Sequence, residues 1–167
     1  RMLFTKNLRF PLIGLGGFSL LAAIWAGLVR MDWNLPIPNL SFAETHGPLM
    51  IVGFLGTVIG LERAVALKNN WTYGTPIFAI LSALAQLFSL PDGWSQTFAI
   101  ISSAILFAIF CSLWWHHRES YLVIIGLGAA LWFVGNALWL VDYPYFIVAA
   151  WWAGFLVLTI TGERLEL

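Results

Sequence analysis

Charge is what this sequence has least of. Of 167 residues only 10% are Asp, Glu, Lys or Arg, against roughly a quarter in soluble domains, while 60% are apolar. Mean hydropathy is +0.86. A chain of this size folded in water has to show a polar skin, and it lacks the side chains to make one. A soluble domain is thereby excluded. The formal net charge is zero, which removes the basic surface that nucleic-acid binding needs, so no nucleic-acid partner is expected. Cysteine is nearly absent. The single Cys111 excludes an intrachain disulfide and reads as a small buried hydrophobe. No Ser-His-Asp set, Walker loop, HExxH, CxxC or dinucleotide fingerprint appears, so nothing in the motifs argues for an enzyme.

What is present is a succession of apolar runs with short polar punctuation. The pattern predicts an all-α, six-helix transmembrane bundle in a plasma or inner membrane, with helices near residues 11–29, 46–67, 73–90, 98–115, 121–140 and 145–161. If each run spans, Arg1, Lys6, Arg9, Arg63, Lys68, Arg118 and Arg164 fall on one side and only Arg30, of the 8 basic residues, on the other. That bias places both termini in the cytoplasm. The first run follows three basic residues, as in a secretory signal, but it exceeds a typical h-region of about 7–15 residues and lacks an Ala-x-Ala site before Arg30. It reads as a retained helix. The start at Arg1 points to a fragment, a processed form or an incompletely known sequence.

Pro36-Ile37-Pro38, Lys68-Asn69-Asn70, Pro91-Asp92-Gly93 and Asp142-Tyr143-Pro144 mark short connections, which force neighbouring helices to run antiparallel. Trp33, Trp94, Trp139, Tyr143 and Tyr145 are expected at the outer interface, and Trp71, Tyr73, Trp114 and Trp115 at the inner one, where an apolar ring and a polar N–H or O–H are both satisfied. Trp25, Trp132, Trp151 and Trp152 fall deeper, as packing residues or as walls for a planar ligand. Gly53, Gly56 and Gly60 make segment two the expected central helix, because in lipid close backbone approach supplies much of the packing.

Candidate site residues cluster at two depths. At the outer mouth of segment two, Glu44-Thr45-His46-Gly47-Pro48 sets a histidine on the first turn of a helix. On a regular α-helical wheel Gly53, Thr57 and Gly60 lie within roughly 40° of His46, so its ring is expected to point along that face. There it is either an interfacial histidine bonded to a loop carbonyl or a ligand for haem iron or copper, with Glu44 or Met50 as further donors. His116 and His117 sit about 30 Å away, across the bilayer, and read as a solvated cap. At the inner end Glu62-Arg63 and Glu163-Arg164 share one depth, and a crossed arrangement, Glu62 with Arg164 and Arg63 with Glu163, would pair all four charges. Asn136, deep in segment five, reads as packing glue between helices or as a ligand contact.

The stretch ETHGPLMIVGFLGTVIGLERAVAL, residues 44–67, with the closing Gly162-Glu163-Arg164-Leu165-Glu166-Leu167, resembles polytopic bacterial membrane proteins related to the NnrS family. The resemblance implies an association with haem or copper and with nitric-oxide or redox stress. It makes His46 the candidate ligand, and implies that this chain is an N-terminal half working with a second half or a second copy. The alternative from composition alone is a non-catalytic membrane subunit or half-transporter that packs against other membrane chains.

Overall fold

Inside a bilayer every backbone N–H and C=O has to be satisfied within the protein, which leaves helices as the economical solution for an apolar chain. The computed structural model describes the backbone of residues 2–91 and 93–166 and, within them, side chains from residue 7 onward. Arg1, Asp92, Leu167 and the side chain of Lys6, all used in the sequence reading, lie outside the described residues. The described residues form six helices: α1 (Met2–Arg30), α2 (Phe42–Leu67), α3 (Gly74–Leu87), α4 (Trp94–His117), α5 (Ser120–Leu140) and α6 (Tyr145–Glu166). There is no strand among them. All but α3 are long and apolar enough to cross a membrane.

The third helix is shorter than the expected run at 73–90. Its 14 residues reach about 21 Å, and the 3₁₀ turn Asn70–Tyr73 that runs directly into it adds about 8 Å, together close to a hydrocarbon core of about 30 Å. It stops because Ser89 turns to a left-handed conformation ahead of Pro91, and a 3₁₀ turn, Asn70–Tyr73, supplies its other end. α1 begins nine residues before the expected start at residue 11, with Pro11 inside it.

Consecutive helices pack side by side, and α2 sits among the rest. Thr57 of α2 meets Gly16 of α1, Gly60 meets Thr75 of α3, and Gly56 meets the Trp132 ring of α5. Arg63 lies over Phe110 of α4 and bonds Glu163 of α6. α2 is not a regular α-helix. A 3₁₀ turn (Phe42–Thr45) and one α-turn (His46–Pro48) lead into a π-helical stretch (Leu49–Gly56), and α geometry resumes at Thr57–Leu67. Side chains help to satisfy the widened stretch: Ser19 Oγ donates to Leu49 O at 2.9 Å and Thr57 Oγ1 to Gly53 O at 2.6 Å.

The core between α2, α4, α5 and α6 is aromatic. Trp132 and Phe155 stack with centroids 4.9 Å apart, and Trp139 meets Trp152 edge-on at 5.7 Å. Trp139 is buried in this core and Tyr73 in a separate cluster with Leu12, Leu61 and Ile80, while Trp25 is exposed, meets Phe42 edge-on and donates to Pro36 O. Cys111 is exposed, not buried. The reason is general: an apolar segment tells that a residue avoids water, not whether it faces protein or lipid. Phe10, Phe18, Leu21, Phe146, Val157 and Ile160 point outward in the same way, a surface suited to a membrane and unlike that of a soluble monomer.

Candidate functional site

The N-terminal end of α2 is built around His46. Its Nδ1 lies 2.7 Å from the carbonyl oxygen of Ala23 in α1, and Gly27, one turn further along α1, leaves room for the ring. A carbonyl only accepts, so Nδ1 is the donor of this bond and Nε2 takes no part in it. The half-buried histidine borders a cavity of about 370 Å³ between α1, α2 and α6, with Arg30, Glu44 and Tyr145 at the polar end. Ile51, Phe146, Trp152 and Leu156 supply its apolar wall. Glu44 and Tyr145 also border a second, more polar opening of about 500 Å³ that carries Asp142, Gln86 and Gln96.

The ring points into the bundle on the side of α2 that faces α1, which it shares with Gly53, set against Ser19, and Thr57, set against Gly16; Gly60 has turned to Thr75 of α3. A π-helical stretch lies between His46 and Thr57, so a uniform 100° spacing does not hold along the whole face. Met50 packs against the cluster of Ala22, Ala23, Leu49 and Ala83, away from the cavity. Among the described residues no group of three or more His, Cys, Asp or Glu side chains is placed to hold a metal. Arg30 was not singled out as a site residue in the sequence, whereas Trp152 stood among four deeper tryptophans read as packing residues or walls for a planar ligand. The one signal for Arg30 was its isolation as the sole basic residue assigned outside.

At the other end, half of the crossed arrangement forms. Arg63 Nη2 donates to Glu163 Oε1 at 3.1 Å, and its other terminal nitrogen lies 3.7 Å from Glu166. Its side chain is only 12% exposed. Glu62 and Arg164 are exposed and make no ion pair among the described residues. Arg63 faces α6, and Glu62, one residue on, is turned about 100° away, toward α1. His116 and His117 are exposed at the end of α4, with His116 Nδ1 2.7 Å from Ser112 O.

Asn136 is fully buried and fully used. Its Nδ2 donates to Ala99 O at 3.0 Å and to Ser103 Oγ at 3.1 Å, and its Oδ1 accepts from Trp152 Nε1 at 3.0 Å. It joins α4, α5 and α6, and Trp152, which it orients, forms part of the His46 cavity wall.

Residues 9–167 match the model of a family described as a domain of unknown function, DUF8744, and the chain belongs to that family. No curated protein and no solved structure matches it.

Proposed function

We propose that this member of the DUF8744 family is a multi-pass protein of a plasma or inner membrane, with both termini cytoplasmic, that binds a haem-type cofactor at its outer face through His46. The orientation rests on the basic residues gathered at one set of helix ends. The cofactor reading rests on one observation above all: the bond from His46 Nδ1–H to Ala23 O, which orients the ring and leaves Nε2 as the nitrogen that could ligate, on a residue bordering a cavity. Such a second-shell bond is how proteins usually fix a ligating imidazole.

The residues present fit haem better than copper. His46 would be the iron ligand of a b-type haem, Ile51, Phe146 and Trp152 would meet its apolar ring, and Arg30 would be available to a carboxylate. When bound, haem supplies redox or gas-ligand chemistry at its iron. This chain's own contribution is to orient His46, to wall the cavity with Ile51, Phe146 and Trp152, and to offer Arg30 for a carboxylate. Copper asks for more donors than His46 and Glu44 provide, so it fits only with donors from a second copy or a second half of the protein. The link to nitric-oxide stress is supported by the motif likeness alone.

The second reading is a non-catalytic subunit packing against other membrane chains; Asn136, whose polar groups are all consumed within this chain, offers none of them to a ligand. Absorbance of the purified protein titrated with haemin separates the two: the first gives a saturable Soret band lost in His46→Ala, the second gives none.

A further inference from the structure

Glu62, left out of the inner ion pairs, borders a groove of about 570 Å³ between α1 and α2. Ile13, Val58, Leu61 and Val65 give it an apolar wall, and Arg9 is its other charged residue. The half-buried Arg9 donates its Nε–H to the hydroxyl of buried Tyr73 at 3.2 Å, which fixes the guanidinium and leaves its terminal nitrogens available. Arg9 and Glu62 pair neither with each other nor with any other charge among the described residues. Two opposite charges thus share one apolar groove without meeting.

Charges held at the edge of an apolar medium favour a partner that satisfies both. We propose that this groove binds a phosphatidylethanolamine-type lipid, with an acyl chain along Val58 and Leu61, the phosphate on Arg9 and the ammonium on Glu62. An anionic glycerolipid would satisfy Arg9 but meet repulsion from Glu62. A choline head group carries no N–H to donate to the carboxylate, and a free phosphate makes no use of the apolar wall. The groove shares no residue with the His46 cavity, so the assignment stands apart from the cofactor reading.

Native mass spectrometry of the detergent-purified protein tests it, with equimolar phosphatidylethanolamine, phosphatidylcholine and phosphatidylglycerol of the same acyl chains. The ethanolamine lipid is expected to be the dominant adduct. Arg9→Gln and Glu62→Gln should each lower it about tenfold, the loss of one charge-assisted contact. Glu62→Gln should in addition turn the preference toward phosphatidylglycerol. Val58→Trp, which fills the groove and leaves both charges, should reduce all three adducts. Preference of the unmodified protein for the glycerol or choline lipid overturns the assignment, and so does unchanged ethanolamine-lipid binding in both charge variants or in Val58→Trp.

Discussion

His46 and Ala23 are joined across α2 and α1 by a 2.7 Å hydrogen bond to a carbonyl that is already part of a helix. That carbonyl has a second lone pair to offer, so the bond costs α1 nothing. The ring rests where Gly27 lacks a side chain. A Cβ there would lie 2.8 Å from Nδ1 and 3.0 Å from Cε1. Gly27→Ala should therefore swing the imidazole away from Ala23, weakening haemin binding about 10- to 100-fold, as loss of an orienting second-shell contact does. A haemin titration followed by absorbance checks this, and unchanged affinity would mean that the ring is not positioned by α1.

Arg63 holds α2 to α6 through Glu163 and Glu166 while lying 5.6 Å from the Phe110 ring centroid. Arg63→Met should cost about 2–4 kcal/mol, because it leaves two carboxylates without their partner at the membrane edge. Arg164→Gln should change stability by less than about 0.5 kcal/mol, as expected for an exposed charge. Thermal unfolding in detergent measures both. A double-mutant cycle on Arg63 and Glu163 should show coupling of about 1 kcal/mol, and strict additivity would remove the pair from the account.

Asn136→Leu should destabilise by about 1–3 kcal/mol, since the Trp152 indole N–H loses its acceptor in a dry core. Trp152→Phe in the same background should recover part of that loss by removing the stranded donor. Equal stability of the single and double variants would show that the Trp152–Asn136 bond contributes nothing.

Some of this was legible in the sequence and some was not, for physical reasons. Apolar run length and loop residues located the helices, and Gly56 and Gly60 marked where α2 touches Trp132 and Thr75, because a missing Cβ is a statement about proximity. The π-helical stretch was not legible. It depends on Ser19 and Thr57 bonding its carbonyls, which is a tertiary circumstance. The α1-facing side shared by His46, Gly53 and Thr57 could be read from their spacing, but the turn of Gly60 toward α3 could not. Repeated Glu-Arg dipeptides announced the Arg63–Glu163 pair but not that Glu62 and Arg164 stay apart, since adjacent helical residues point about 100° apart and Glu62 cannot face α6 together with Arg63. Cys111 shows the remaining limit: hydropathy does not distinguish lipid-facing from protein-facing positions.

The orientation predicts that single cysteines placed at Lys68 and at Asp92, in a Cys111→Ser background, are labelled from opposite sides of sealed vesicles by a membrane-impermeant thiol reagent. Position 68 should react only after the cytoplasmic side is opened. Labelling of both from one side would contradict the six-crossing topology.

The account turns on whether His46 is a ligand. Absorbance of the purified protein in the Soret region, with increasing haemin, measures this most directly. The account predicts one saturable Soret species per chain, lost in His46→Ala with the fold retained by thermal melting, and unaffected in His116→Ala. No saturable band in the unmodified protein, or one that persists in His46→Ala, would contradict it.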